Sequence, residues 1–428
     1  MAMDTSKALR NQVMYSVFVR QYSKEGTFDK VREDLPRIKA LGVDVIWLMP
    51  IHPIGKVKRK GTLGSPYAIS DYRAVNPEFG TMADFIALTD AVHALGMKVI
   101  IDVVYNHTSP DSVLAREHPE WFYHRADGSF GNRIGDWSDI IDLDYGQKGL
   151  WDYQIETLKL WARYVDGFRC DVAPLIPLEF WLAAREAVAQ VRPGCLWLSE
   201  SVEPEFTRSN RARGMVSLSD AEIFRAFDLS YEYDVYPDWV GVLTGRVPLA
   251  EYLKKINEQE AIYPENYVKL RFLENHDRPR ARFSVPDAAA RENWTAFLYF
   301  QRGMTLLYNG QERECFHRPS LFEKDDIPWD GPDISERLRA LAAIKRDPIF
   351  RDGSYSVRDG GNGVIVAEYT QGARRLLGLF STQGKPAPVP VCVPDGRYAN
   401  LIDGGAVEVE CGLACCDGRP MVIECNEQ

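Results

Sequence analysis

Lys98-Val-Ile-Ile-Asp102-Val-Val-Tyr-Asn-His107 is a run of β-favouring residues that ends on polar, chemically capable side chains. Bounded by Gly96 on one side and Asn106-His107 on the other, it reads as a buried strand. The same pattern recurs in Gly167-Phe-Arg-Cys-Asp171, Trp197-Leu-Ser-Glu200 and Phe272-Leu-Glu-Asn-His-Asp277. Each strand-like run delivers a carboxylate at its end. Parallel strands closed into an α/β barrel bring such ends to one mouth, where barrel enzymes hold their reactive groups.

Working outward, strand-like and helix-like runs alternate over residues 1–346, the signature of a parallel sheet covered by helices. Strands are expected at Val13 to Val19, Asp44 to Met49, Lys98 to Asp102, Val165 to Asp171, Leu196 to Glu200, Ala226 to Leu229, Tyr267 to Leu273 and Met304 to Tyr308. Eight is the number of a (β/α)8 TIM barrel. Helices are expected from Phe28 to Leu41 and from Met82 to Leu95, each closed by a glycine, Gly42 or Gly96. Residues 107–149 make a third connection far longer than the usual few residues. Its content of His, Trp and Tyr predicts an ordered subdomain leaning over the mouth. Residues 350–428 change texture: Asp352-Gly, Asp359-Gly-Gly, Asp395-Gly and Asp403-Gly-Gly punctuate short apolar runs. That is the pattern of a C-terminal all-β sandwich.

The chain has 428 residues and a formal net charge of −10. An acidic balance argues against a nucleic-acid partner, which needs clustered positive charge. The one basic stretch, Lys56-Val-Lys-Arg-Lys60, reads as a solvated loop. No apolar stretch is long enough to cross a bilayer, so no membrane partner is expected. Met1 to Arg10 contains no apolar segment of a secretory signal, and eight cysteines in a chain this long are not a disulfide framework. A cytoplasmic, reduced protein is the expectation. Cys392, Cys411, Cys415, Cys416 and Cys425 lack paired zinc-ligand spacing and are expected as buried thiols in strands.

Carboxylates meeting at one mouth beside His and Arg, with no metal-ligand cluster, suit acid/base work on a neutral substrate. Glycoside hydrolysis is the first candidate. At this level of detail the chain resembles the α-amylase family, glycoside hydrolase family 13. The four segments stand in the order of that family's signature regions. Gly64-Ser-Pro-Tyr67-Ala-Ile-Ser-Asp71-Tyr72 and Gly303-Met-Thr-Leu-Leu-Tyr-Asn-Gly-Gln-Glu312 extend the likeness. The resemblance implies a barrel, a subdomain in the third loop, a C-terminal β-sandwich and a retaining mechanism. It casts Asp171 as nucleophile, Glu200 as general acid/base and Asp277 as the carboxylate supporting the transition state. Arg169, His107 and His276 would hold the sugar, and Tyr67 would stack on it.

Elementary physics agrees. Arg169 lies two residues before Asp171, so their side chains share a strand face. A fixed cation there is expected to lower the pKa of Asp171. Glu200 is expected to lack such an adjacent cation, to face two anions, and to hold its proton near neutrality. Asp102, a strand-end carboxylate on an earlier strand, is expected to orient Arg169. Trp197 reads as core, whereas Trp239 and Trp329 could be sugar platforms or core.

Many α-amylases bind calcium through an Asn106-type residue and a His shortly after the nucleophile. Here Val172-Ala-Pro-Leu-Ile176 follows Asp171, and calcium needs six to eight oxygens. No metal or other cofactor is therefore expected, although Asn106 remains a conceivable calcium ligand. The expected substrate is an oligosaccharide, a soluble maltooligosaccharide or dextrin cleaved at α-1,4 bonds. Alternatives are a 4-α-glucanotransferase, a sucrose- or trehalose-active relative, or a non-catalytic amylase-like binding protein. The sequence leaves oligomeric state open.

Overall fold

The computed structural model describes residues 4–135 and 137–426. Met1 to Met3 of the N-terminal segment, Asp136 of the long third connection and the last two residues lie outside the described residues. Eight parallel strands close into a barrel in the order β1-β8-β7-β6-β5-β4-β3-β2. They are β1 (Val13–Val17), β2 (Val45–Leu48), β3 (Lys98–Val103), β4 (Gly167–Cys170), β5 (Leu196–Ser199), β6 (Leu229–Tyr231), β7 (Val268–Arg271) and β8 (Met304–Tyr308). A helix follows each in turn: α1 (Phe28–Ala40), α2 (Met82–Ala94), α3 (Lys148–Trp161), α4 (Leu178–Ala189), α5 (Pro204–Ala212), α6 (Leu249–Ile262), α7 (Ala288–Phe300) and α8 (Ser335–Lys345).

The sixth strand is displaced from its expected position. Ala226 and Phe227 donate their N–H groups to the Ile223 carbonyl and finish the turn of helix Asp220–Ile223. The Asp228 carboxylate then accepts from the Trp197 N–H at 2.9 Å, and the strand begins only at Leu229. A local helical turn with a side-chain anchor has overridden the strand propensity of these residues.

Alternation along the strands separates two environments. One face packs against the helices: Phe168 and Trp197 lie 5.4 Å apart, and Trp197 meets Trp181 of α4 at 6.4 Å. Trp197 is a core residue, as its sequence suggests. Trp239 is buried against Trp294, and Trp329 has the Arg37 guanidinium across its face at 5.1 Å. The opposite strand face points into the barrel and carries the polar residues described below.

In the long third connection, His107–Thr108 pairs antiparallel with Ile141–Asp142. Phe122 and Phe130 pack edge to face at 5.4 Å beneath it. Among the described residues no helix is long and apolar enough to cross a membrane.

Beyond α8, eight strands form two antiparallel four-stranded sheets. In Val364–Gln371, Val364 and Val366 face the second sheet, while Ile365, Ala367 and Tyr369 face the barrel. Period-two alternation thus explains a run that is apolar on both faces. The barrel contact is aromatic: Phe300 of α7 meets Tyr369 and Phe380, each at 5.5 Å. None of the eight cysteines is in a disulfide. The buried-thiol expectation is correct for Cys416 and Cys425 but wrong for Cys392, Cys411 and Cys415, which are exposed. Cys411 stands in a tight turn at φ 52°, and Cys415 points away from the core on the outer face of its strand.

Candidate active site

Parallel register sets the centre of the site. Asp102 on β3 stands directly beside Arg169 on β4, and Arg169 shares its strand face with Asp171 two residues on. The Arg169 guanidinium is fully buried. Its Nη1 donates to Asp102 Oδ1 at 2.8 Å and to Asp171 Oδ1 at 2.9 Å, and its Nε donates to the Tyr231 hydroxyl at 3.3 Å. Rings of Trp47, Tyr67 and Tyr231 surround it at 5.3, 5.5 and 5.6 Å from their centroids. Such faces favour a desolvated cation.

Glu200, at the end of β5, also touches this cation. Its Oε2 lies 2.9 Å from Arg169 Nη2, contrary to the expectation that it has no neighbouring cation. Distance and alignment differ here: Nη2 makes no directed hydrogen bond, whereas Nη1 donates to Asp171 along a proper hydrogen-bond axis. The aligned bond is the stronger one. One guanidinium therefore serves three carboxylates unequally.

Burial corrects a second expectation. Asp171 is pushed up to about 6 by withdrawal from water, despite the opposing pull of Arg169. Asp102, buried beside the same cation, is likewise raised to about 6, first by burial. Glu200 rises furthest, to about 7, through burial and then the repulsion of Asp171 and Asp277 against the pull of Arg169. The expected ordering, Asp171 below Glu200, holds, but desolvation rather than an absent cation lifts Glu200. One positive charge cannot keep three buried carboxylates ionised, so the cluster retains a proton near neutrality.

Asp277 differs from these. Withdrawal from water pushes it up, but His276, Arg169 and Arg278 outweigh that and hold it below the ordinary aspartate range. Its side chain is 39 % open to the cleft, and His276 Nε2 stands 3.0 Å from its Oδ2. The same Nε2 is 2.7 Å from the Tyr67 hydroxyl, which in turn reaches Asp102 Oδ2 at 3.2 Å. Tyr67 and His276 stack at 5.5 Å. His107 is buried and lowered to about 4 by desolvation, so its ring is neutral at neutral pH. Its ring lies 5.6 Å from that of Trp137.

A cleft of about 330 Å³ collects Tyr67, His107, Asp171, Glu200 and Asp277 in one wall, and Arg169, His276 and Asp102 lie directly behind them. The expected catalytic and sugar-holding residues are thus brought together, whereas Asn106, Trp239 and Trp329 lie outside this cleft. The structure adds Lys60, Trp137, Asp139, Leu321 and Phe322 to the lining. Lys60, read from sequence as part of a solvated loop, pairs instead with buried Asp139 at 3.0 Å. Nothing local in the sequence marks these contacts, because they join loops far apart in the chain. Trp137 alone carried a signal, as an aromatic in the long third loop.

Val172 also went unrecognised. Its φ of 36° is in the left-handed region, an outlier for a β-branched residue. This conformation points its N–H at Glu200 Oε2, 2.9 Å away. Backbone strain beside a reactive carboxylate is a mark of a functional site.

Asn106 lines a cavity of about 310 Å³ together with Arg133, Asp142 and Asp144. Arg133 lines it, donating its N–H to Asp142 Oδ2 at 2.6 Å and its Nη1 to the Leu143 carbonyl at 3.3 Å. Among the described residues no group of three or more His, Cys, Asp or Glu side chains is placed to hold a metal ion.

Comparison with known proteins bears on this geometry. Residues 12–127 match the family described as "Alpha amylase, catalytic domain", and residues 356–423 match "Bacterial Alpha amylase C-terminal domain". The structure superposes on an α-amylase from Lactobacillus plantarum with TM-score 0.96 at 48 % identity, covering 98 % of this chain and 100 % of that one. The chain belongs to the α-amylase family. A noncanonic maltogenic α-amylase, AmyB of Thermotoga neapolitana, superposes with TM-score 0.87 at 32 % identity, over 98 % of this chain and 100 % of that one. In sequence, this α-amylase family enzyme is 32 % identical over 281 residues to the α-1,4-glucan:maltose-1-phosphate maltosyltransferase of Myxococcus xanthus, 60 % of this chain. It is 27 % identical over 417 residues to α-amylase MalA of Haloarcula japonica, 92 % of this chain. The chain spans 39 % and 58 % of the lengths of those two relatives.

The strain at Val172 has a measurable consequence. Left-handed backbone costs a β-branched residue ~1–3 kcal/mol, against ~0.5–1 kcal/mol for the extra chain freedom of glycine. Val172→Gly is expected to raise stability by about 1 kcal/mol in denaturant titration. A destabilised variant would show that Val172 is not strained.

Proposed function

We propose that this enzyme cleaves α-1,4-glucosidic bonds of maltooligosaccharides or dextrins by a retaining, double-displacement hydrolysis. The observation that carries the reading is the unequal sharing of Arg169, which leaves Asp171 the better-held anion and Glu200 the proton carrier. In the first step an Asp171 oxygen attacks the anomeric carbon. The glycosidic C–O bond breaks as the Glu200 carboxyl gives its proton to the departing oxygen. The products are a glycosyl ester on Asp171 and a free sugar bearing the new hydroxyl. In the second step Glu200, now a carboxylate, takes a proton from water, whose oxygen attacks the same carbon and releases Asp171.

Asp277, held ionised beside His276, favours the positive charge that develops on the ring. Neutral His107 and the His276–Tyr67 pair present donors to sugar hydroxyls, and such bonds help most where they tighten in the transition state. Asp102 and Val172 act through Arg169 and Glu200 and are positioning residues. Among the described residues no group of three or more His, Cys, Asp or Glu is placed to hold a metal ion, and the enzyme is expected to act without calcium.

A second reading, transfer of the glycosyl group to another sugar in place of water, is favoured by the likeness to maltosyltransferases. The first step is common to both.

Three measurements test these readings. NMR of maltoheptaose digestion is expected to show shorter products released first as the α-anomer. Glu200→Gln should lower the rate by about 10²–10⁴-fold. Products longer than the substrate would establish transfer, and an initial β-anomer would overturn the retaining mechanism. The pH profile of kcat/KM should be a narrow bell. Its acid limb, near about 6, comes from protonation of the Asp171 carboxylate, and its alkaline limb, near about 7, from loss of the Glu200 proton. Both limbs belong to the coupled cluster. An acid limb below the ordinary carboxylate range would contradict it. Activity and melting temperature should survive excess chelator unchanged, and loss of either, restored by calcium, would refute metal independence.

A further inference from the structure

Phe, Tyr and Trp rings among the described residues are buried or half-buried, with two exceptions. Phe283 and Phe316 are each 57 % exposed, and they are the only aromatics among the exposed large apolar side chains of the described residues. The others are aliphatic, such as Val57, Leu182 and Ile262. The two rings also meet, with centroids 5.6 Å apart and planes inclined at 59°. Isolated exposed apolar residues need no explanation, but a paired aromatic surface does.

The pair is built on a rigid support. Phe283 stands in the short helix Ala281–Ser284 after β7, and Phe316 in the loop after β8. Arg280, fully buried, ties these loops together: it pairs with Glu274 at 2.6 Å and donates to the carbonyls of His317 at 3.1 Å and Asn309 at 3.0 Å. Arg282 adds a bond to the Glu314 carbonyl at 3.3 Å. Neither ring is needed to fill the core.

Both loops also build the cleft. Asp277 precedes Phe283 on one, and Leu321 and Phe322 follow Phe316 on the other. Arg318, two residues from Phe316, donates to the carbonyl of Asp277 itself. The aromatic pair therefore stands on the two loops that also supply Asp277, Leu321 and Phe322 to the cleft. Aromatic faces are electron-rich, and the C–H face of a glucose ring is the apolar, weakly positive surface that suits them. A second copy of this chain fits less well, since two rings set among charged Arg282, Glu314 and Arg318 fall far short of the ~1,200 Å² of a stable interface.

We infer that Phe283 and Phe316 form an outer glucose-binding platform, which engages α-glucan chains long enough to run from the cleft over the rim between the seventh and eighth loops. The inference rests on the α-glucan reading above. It is tested by calorimetric binding of maltotriose and maltoheptaose to the Glu200→Gln enzyme, with and without Phe283→Ala/Phe316→Ala. The Ala pair should lower the heptaose-to-triose affinity ratio on the order of tenfold. Phe283→Tyr/Phe316→Tyr, which keeps the faces, should hold the parental ratio. A ratio unchanged by the Ala pair in a protein of parental melting temperature would overturn the platform. So would a parental dimer, seen in sedimentation, that the Ala pair dissociates. If the parent bound neither sugar, the α-glucan reading itself would fall, an outcome distinct from an unchanged ratio.

Discussion

A single buried guanidinium governs the site. Arg169 is held in the barrel with no access to water, and its charge is balanced by Asp102, Asp171 and Glu200 within 2.9 Å or less. Removing one partner from such a buried pair costs ~3–5 kcal/mol, because the charge left behind is uncompensated. The barrel therefore cannot rearrange around Arg169 without losing stability, and the same rigidity positions Asp171 and Glu200. Stability and chemistry depend on the same contacts.

The cluster's electrostatics follow from counting charges in a dry place. Withdrawal from water raises all three carboxylates by more than one shared cation can offset, and their mutual repulsion adds to the rise. On the proposed reading, burial and the anionic neighbours of Glu200, together with the aligned bond of Arg169 to Asp171 and its unaligned contact to Glu200, place the retained proton on Glu200. The Val172 N–H, delivered by strained backbone, donates to Glu200 and in the proposed mechanism would steady that carboxylate after proton transfer. Asp277 stays apart from this sharing because His276 and Arg278 serve it.

Much of this was legible in the sequence, for identifiable reasons. Strand ends are marked by an abrupt change from apolar to polar residues, so the four carboxylate-bearing segments and the closed barrel could be read directly. The Asp102–Arg169 pair was legible because neighbouring parallel strands bring corresponding strand ends side by side. The Arg169–Glu200 contact was not, since it depends on how far a guanidinium reaches across the barrel. The upward shift of Asp171 was missed because sequence shows the neighbouring cation but not the exclusion of water. Lys60, Asp139, Leu321 and Phe322 come from loops whose packing carries no local pattern, and the left-handed Val172 has a residue type that argues against its own backbone. The sixth strand slipped because Asp228 anchors a helical turn across the sheet.

The central claim concerns the position of one proton, and neutron diffraction locates protons directly. Crystals of the free enzyme, held at a pH between the values of Asp171 and Glu200, are expected to show a hydrogen on a Glu200 carboxyl oxygen. Asp171 and Asp102 should both be bare toward Arg169. A hydrogen on Asp171 with Glu200 ionised would contradict the division of roles drawn from the Arg169 cluster.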